Sequence, residues 1–192
     1  AYILQNTGTK PYRILALTFT NKAAGEMKER IRAFGIPEID EMWMGTFHSI
    51  CARILRHDAD KIGFNRNFTI HDEQDTKALV TKCMEELDLN NRDMSAAVVK
   101  DIISKAKDNA LSPDDFASIY EDNFRYETAG KIYRLYQKKL KENNAMDFDD
   151  LLFHTLTLLR EHEDVLEYYQ NRFEYILIDE YQDTNHLQYE IT

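Results

Sequence analysis

Two adjacent carboxylates, Asp179 and Glu180, directly follow the apolar run YILI at residues 175–178, and Asp183 comes three residues later. A short run of this kind predicts a buried strand, and open α/β sheets bind ligands beyond the carboxyl ends of their strands. One carboxylate there can hold Mg²⁺, and the other can orient and deprotonate a water for phosphoryl transfer. The alternative is an acidic turn that caps the next helix.

A magnesium-nucleotide site also needs a phosphate-binding loop of the form G-x-x-x-x-G-K-[ST]. The only Gly-Lys pair, at residues 130–131, is followed by Ile132, and Arg125 stands where the first glycine is required. The chain therefore contains no such loop, and a loop serving these carboxylates is expected before Ala1. A start at Ala1 rather than Met, and an end at Thr192 inside an apparent helix, indicate a piece of a longer protein.

Hydroxyl, amide and aromatic side chains gather where two further predicted strands end. The first group is Thr18, Phe19, Thr20 and Asn21, and the second is Thr46, Phe47 and His48. Such polar groups suit phosphate oxygens, and an aromatic face can stack on any nucleobase. The alternative is that the aromatic rings belong to the core while the polar residues cap helices.

Two acidic clusters could hold a metal ion or could cap helices. They are Asp147, Asp149 and Asp150 in AMDFDDLL, and the segment HDEQD at residues 71–75. Capping explains both with fewer assumptions, because carboxylates favour the first turn of a helix. The six histidines are scattered without the spacing of a zinc site.

The elements that must position these residues follow from the hydrophobic periods. Apolar runs predict strands at residues 14–19, 42–47 and 175–178, and the helices predicted from the spacing are 22–34, one from about 49, 76–87, 96–106, 113–120, 128–142, 147–160 and 164–172. Asp72, Asn90 and Ser112 are predicted caps. The strand–helix–strand–helix order at the start predicts an α/β sheet, to which the strand at residues 175–178 returns, and the helical periods between them predict an inserted helical subdomain.

The net charge of −10 argues weakly against a general nucleic-acid binder. Its distribution is uneven, because residues 1–53 carry a net +2 and residues 161–192 a net −8. No apolar run has transmembrane length, and the start lacks the pattern of a signal peptide. Cys51 and Cys83 form no CxxC or zinc pattern, which is typical of a reduced intracellular protein.

The segments ALTFTNKAAGEMKER, GTFHS, MDFDDL and ILIDEYQDTN occur in this order. Together they resemble the superfamily 1 DNA helicases of the UvrD/PcrA/Rep group: motif Ia, motif Ib, a further family segment, and motif II, the Walker B equivalent. CARILR and GFNRNFTI also resemble this family, so the resemblance covers nearly the whole chain.

This resemblance implies an α/β fold: an incomplete RecA-like P-loop NTPase domain, 1A, with an inserted all-helical subdomain, 1B. Residues 1–55 would be the first part of 1A, lacking the first strand and the P-loop. Residues 56–146 would be 1B, and residues 147–192 would be the second part of 1A, which carries the Walker B motif.

The resemblance also implies ATP and Mg²⁺ as cofactors of the full-length parent. Asp179 and Glu180 would contact the nucleotide, with Asp179 serving the metal and Glu180 acting as general base, while Gln182 and Asp183 would couple the nucleotide state to neighbouring motifs. The DNA path would be lined by Thr18, Phe19, Thr20, Asn21, Thr46, Phe47, His48, Phe148 and Asp149.

The implied activity is ATP-dependent translocation on single-stranded DNA, 3′ to 5′, with duplex unwinding. The partners would be single-stranded DNA, junctions with duplex DNA, and proteins of repair or replication in the bacterial cytoplasm and nucleoid, with no membrane. Without a P-loop, this chain by itself is predicted to be inactive as an ATPase. Two alternatives are a Mg²⁺-dependent nuclease or phosphatase using Asp179, Glu180 and Asp147, and a non-catalytic scaffold.

Overall fold

The computed structural model describes residues 1–36, 38–89 and 94–192, so the predicted cap Asn90 lies outside the described residues. The strands are β1 Ile14–Thr18, β2 Trp43–Thr46, β3 Thr69–Ile70, β4 Ala145–Met146 and β5 Tyr175–Ile178. The helices are α1 Tyr2–Asn6, α2 Asn21–Arg32, α3 Phe47–Asp58, α4 Glu73–Glu86, α5 Ala96–Asp108, α6 Pro113–Ile119, α7 Phe124–Glu142, α8 Phe148–Glu161, α9 Glu163–Arg172 and α10 His186–Ile191. The chain is thus a mixed α/β protein with a small parallel sheet and many helices, as predicted at that level.

The main sheet has the order β2-β1-β5, with both neighbours parallel to the central β1. Every residue of β1 is buried, which confirms the prediction of a strand covered on both faces. Leu15 and Leu17 point to one face and Ile14 and Ala16 to the other, as the two-residue period of a strand requires.

The prediction that β5 is buried was wrong. Ile176 and Leu177 are 41% and 43% exposed, and within the described part of the chain β5 pairs only with β1. The apolar run specified a strand correctly, but burial also needs a neighbour on the second edge and a cover on both faces. Among the described residues, β5 has no neighbour on its second edge and its faces are only partly covered.

Two faces of the sheet carry different layers. Leu15 and Leu17 belong to a large apolar cluster that also takes side chains from α3, α8 and α9. On the opposite face, Ile14 and Ala16 pack with Ile39 and Met42 beneath partly buried side chains of α1 and α2. Covering both faces in this way is the usual arrangement of a parallel sheet.

A second apolar cluster lies among the helices α4 to α7. Its buried members fall between Val80 and Ala145, whereas those of the large sheet cluster fall in residues 15–68 and 146–187. The parallel ladder of β3 and β4 stands where the chain passes between the two clusters, because Thr69 pairs with Ala145 and Ile70 with Met146. This short ladder was not predicted, since two residues give no readable period.

Several helices begin directly after a residue whose side chain caps them. Asp72 and Ser112 cap α4 and α6 with complete capping boxes, which confirms both predicted caps. The helix predicted from residue 76 instead begins at Glu73, directly after its cap. None of the helices in the described ranges combines the length and the apolar character needed to cross a membrane.

Candidate nucleotide and nucleic-acid site

The predicted site residues meet along the carboxyl edge of the main sheet. Thr18 is the register partner of Thr46, and Leu17 is the register partner of Ile178. The backbone N–H of Asp179 then donates to the carbonyl of Leu17 at 3.0 Å. The ends of β2, β1 and β5 therefore lie side by side, and the three motifs that follow them leave the sheet at a common edge.

Both carboxylates after β5 are exposed at that edge. Glu180 has a left-handed backbone with φ of +54°, which is uncommon for a residue other than glycine, and a short 3₁₀ turn, Tyr181–Asp183, follows it. The N–H of Asp183 donates to the carbonyl of Glu180 at 2.9 Å. Asp179 is therefore still paired with β1, whereas Glu180 begins the turn that leaves the sheet.

The turn also places the other two predicted residues. Gln182 donates to the Asp183 carboxylate at 3.4 Å, and both side chains are exposed. Asn185 then caps α10 in a capping box with Gln188. Its side-chain amide also donates to Asp108 at the end of α5, at 3.1 Å, which ties this segment to the helical cluster.

At the end of β1, the four predicted residues divide by burial. Thr18 is fully buried and its hydroxyl donates to the carbonyl of Thr20 at 3.0 Å, so it faces the protein. Phe19 is half-buried and packs on Phe47, with ring centroids 5.7 Å apart. Thr20 caps α2 by accepting the Ala23 N–H at 3.1 Å, and Asn21 is exposed.

At the end of β2, Thr46 caps α3, since its hydroxyl accepts the Ser49 N–H at 3.2 Å. Phe47 is buried in the sheet cluster, so its ring supports the edge from within. His48 is half-buried, and its ring stacks on Phe148 with centroids 4.0 Å apart and planes 21° apart. We call this stacked pair the His48–Phe148 platform.

The platform joins two motifs that are far apart in sequence. Phe148 is 56% exposed at the first position of α8, and His48 comes from the first turn of α3. Burial lowers the pKa of His48, and the nearby Asp149 carboxylate partly opposes this effect. A half-buried imidazole stacked under an exposed aromatic ring offers a flat surface to a planar ligand.

The acidic cluster of α8 is a helix cap. Asp147 accepts the Asp150 N–H at 2.8 Å, and Asp150 accepts the Asp147 N–H at 3.0 Å, which forms a capping box of two carboxylates. Both side chains are buried, whereas Asp149 is half-buried beside the platform. Capping thus accounts for this cluster, as it does for Asp72 and Asp75 in HDEQD.

A residue that the sequence analysis missed completes this cap. The Lys107 ammonium is fully buried, 2.6 Å from Oδ2 of Asp147 and 2.7 Å from Oδ1 of Asp150. Tyr136 donates to Oδ2 of Asp147 at 2.7 Å, and Gln137 donates to Oδ1 of Asp150 at 3.0 Å. Each carboxylate therefore uses one oxygen for the cap and the other for Lys107.

The charges in this cluster depend on one another. Burial disfavours the Lys107 ammonium, but the carboxylates of Asp147 and Asp150 raise its pKa well above the usual value. Burial also acts against the charge of Asp150, yet Lys107 holds the pKa of Asp150 below its usual range. Burial and the Asp150 charge raise the pKa of Asp147. A sequence signal for Lys107 existed, because it continues the apolar helical stripe of Val99 and Ile103.

This arrangement weakens the nuclease alternative. That reading needs Asp147 as a metal ligand beside Asp179 and Glu180, but Asp147 is buried and already binds Lys107 and Tyr136. Among the residues that the structure describes, no group of three or more His, Cys, Asp or Glu side chains could hold a metal ion by itself. A Mg²⁺ ion held by one or two carboxylates and by substrate phosphates does not require such a group.

Comparison with known proteins adds two findings. The model of the UvrD/REP helicase N-terminal domain matches residues 1–192. The chain is 43% identical over 189 residues to proteins named ATP-dependent DNA helicase PcrA from Staphylococcus epidermidis and from two strains of Staphylococcus aureus, Mu50 and NCTC 8325. Each alignment covers 98% of this chain and 26% of the relative, so the chain spans about a quarter of their length.

Proposed function

Because the chain belongs to the UvrD/REP helicase N-terminal domain family, we propose that it forms part of a motor that couples ATP hydrolysis to movement along single-stranded DNA. The observation that carries this proposal is the common carboxyl edge of β2, β1 and β5. It sets the carboxylates after β5 next to the hydroxyl and aromatic groups after β1 and β2. A nucleotide site and a DNA-binding surface at the same edge of one sheet can influence each other.

On the nucleotide side, Asp179 would hold Mg²⁺ and Glu180 would be the general base. The exposed oxygens of these two residues fit a hard cation that keeps several waters and binds substrate phosphates. When bound, Mg²⁺ supplies positive charge against the phosphate oxygens of ATP. Glu180 would orient the attacking water and accept its proton, while Gln182 and Asp183 would couple the nucleotide state to the neighbouring motifs.

On the nucleic-acid side, we assign the binding of single-stranded DNA to one surface. It is formed by Phe19, Thr20, Asn21, Thr46 and the His48–Phe148 platform, with Asp149 at its border. The exposed Asn21 side chain and the amides that begin α2 suit phosphates. The aromatic rings suit unstacked bases regardless of sequence. Thr18 and Phe47, which are buried, would support this surface without contacting DNA.

We further propose that residues 1–55 and 147–192 are two parts of a RecA-like domain, 1A, and that residues 56–146 are a helical domain, 1B. The separation of the two apolar clusters supports this division. The longer protein would act on single-stranded DNA and its junctions with duplex DNA, moving 3′ to 5′. It would serve repair or replication in the bacterial cytoplasm and nucleoid.

The chain contains no G-x-x-x-x-G-K-[ST] sequence, so by itself it is expected to hydrolyse no ATP and to bind DNA weakly. The decisive experiment therefore uses a longer protein that contains this chain. Its single-stranded-DNA-stimulated ATPase activity is measured for wild type, Glu180→Gln and Glu174→Gln. Glu174 is a matched control because it is exposed, just before the opposite end of β5, and pairs with Arg13.

Glu180→Gln is expected to lower turnover by about 10²- to 10⁴-fold while nucleotide binding is retained, because a general base acts in the chemical step. Glu174→Gln is expected to keep wild-type turnover. Absence of DNA-stimulated turnover in wild type, or full turnover in Glu180→Gln, would contradict the proposal.

A further inference from the structure

Phe148 lies between the two residues that cap α8. Asp147 directly precedes it and Asp150 follows two positions later, and the two form the reciprocal capping box. The direction of the exposed Phe148 ring therefore depends on how these flanking carboxylates are held. His48 contributes the other half of the platform from a different helix, so a small shift of the first turn of α8 would break the stack.

The group that holds both carboxylates comes from the second apolar cluster. Lys107 is in the last turn of α5, and its ammonium contacts Asp147 and Asp150 at 2.6 and 2.7 Å without any exposed surface. A buried charge survives only when it is well paired, and removing one partner leaves the others uncompensated. Without Lys107, two buried carboxylates would face each other across the start of α8.

A comparison within α5 shows that this contact is specific to one lysine. Lys105 is two residues earlier and its side chain is 71% exposed, pairing with Asp101 on its own helix at 2.8 Å. Of these two lysines, Lys107 is the one that contacts α8. The first turn of α8 is thereby anchored to a helix of the other cluster rather than only to the sheet.

We propose that Lys107 is the positioning residue of the His48–Phe148 platform. By binding both carboxylates of the α8 cap, it fixes where the Phe148 ring stands relative to His48. Its purpose, to keep a stacking surface ready for a base, rests on the proposed function. The positioning itself is independent of DNA and can be measured in this chain alone.

The experiment records the histidine ring protons of this chain by NMR. His48 is stacked on Phe148, so its ring protons should be shifted upfield by the ring current, and a His48→Asn variant identifies them. Phe148→Ala gives the chemical shifts of the His48 ring protons when the stack is lost. Lys107→Met is expected to move the His48 signals toward those shifts, while Lys105→Met leaves them at the wild-type position.

Thermal unfolding and the signals of the other five histidines report whether each variant is folded. If Lys107→Met does not fold, the double variant Lys107→Met/Asp150→Asn is used instead. It removes one negative charge together with the positive one. A folded variant without Lys107 whose His48 signals stay at the wild-type position would overturn the proposal.

A second readout separates this inference from the proposed function. Binding of a labelled oligothymidylate to the chain is expected to weaken about fivefold or more in both Phe148→Ala and Lys107→Met, because base stacking contributes about 1 kcal/mol or more. If the His48 signals move but no variant differs from wild type in binding, Lys107 positions the platform and the assignment of that surface to DNA fails.

Discussion

The N–H of Asp179 donates to the carbonyl of Leu17 at 3.0 Å, so the residue that carries the first carboxylate after β5 is fixed through its backbone to the central strand of the sheet. The next residue, Glu180, leaves that ladder with a left-handed backbone. The two neighbours thus differ: the backbone N–H of Asp179 is still paired with β1, whereas Glu180 adopts a left-handed conformation that residues other than glycine rarely adopt.

This conformation gives a first prediction. Glu180→Gly is expected to raise the free energy of unfolding of the chain by about 0.5–1 kcal/mol, because a non-glycine residue in this region is strained by about 1–3 kcal/mol and glycine's greater freedom in the unfolded state offsets part of the relief. Urea unfolding measures the change. Glu29→Gly, inside the exposed face of α2, should instead cost about 1 kcal/mol. Equal losses in both variants would show that Glu180 is unstrained.

A second prediction separates capping from binding at the end of β1. Thr20→Ala should destabilise the chain by about 1 kcal/mol because α2 loses its cap, and Thr20→Ser should restore it. Asn21→Ala, which changes an exposed side chain beside that cap, should change stability by less than about 0.5 kcal/mol. If the proposed surface binds DNA, Asn21→Ala should nevertheless weaken oligothymidylate binding. Unchanged binding would remove Asn21 from that surface.

Two glycines give opposite expectations for the same substitution. Gly45 is in β2, and a Cβ there would collide with the Ser49 hydroxyl, which itself donates to the Thr46 carbonyl at 2.8 Å. Gly45→Ala should therefore destabilise the chain and disturb the start of α3. Gly25→Ala, in α2 with open space around the new methyl group, should stabilise it by about 0.5–1 kcal/mol. Differential scanning calorimetry of both variants checks the signs, which must differ.

A fourth prediction concerns pH. Burial lowers the pKa of His154, whose side chain is only 13% exposed; the Asp150 carboxylate opposes this, and Lys107 and Lys141 reinforce it. The unfolded chain therefore binds a proton more readily than the folded one, so stability is full above the unfolded pKa of about 6.5 and falls as pH drops below it. Burial of His48 acts with the same sign.

His154→Gln should flatten the decline in unfolding free energy between about pH 6.5 and 5, because glutamine takes up no proton in that range. His186→Gln, at an exposed position of α10, controls for the substitution itself. Chemical unfolding at several pH values measures the slopes. An unchanged slope in His154→Gln would mean that other groups set the acid sensitivity.

Local chemistry made much of this fold predictable. Apolar runs locate β1, β2 and β5 to within one residue at each end, and Asp72, Ser112 and Asp147 are predictable as caps because carboxylate and hydroxyl groups accept hydrogen bonds from the free amides of a first turn. The shared edge of these strands was also predictable, since parallel strands end together. Their exact order along that edge required the structure.

The remaining features depend on tertiary contacts that no local pattern encodes. The position of Lys107 on the apolar stripe of Val99 and Ile103 indicates its burial, but no local pattern identifies the two carboxylates of another helix that it contacts. The stacking of His48 on Phe148 joins residues 100 positions apart. The exposure of β5 reflects what covers it, and hydrophobicity alone carries no information about that.

The two-residue ladder of β3 and β4 has a consequence for how this protein can change over evolution. It holds Ile70 beside Met146 at the spacing of paired strands, about 5 Å, although the chain between them forms a whole helical cluster. The ladder thus holds the start and the end of the helical segment next to each other. Helices can be lengthened, added or lost beyond this ladder without displacing the carboxyl edge of the main sheet, provided that Lys107 still contacts the start of α8.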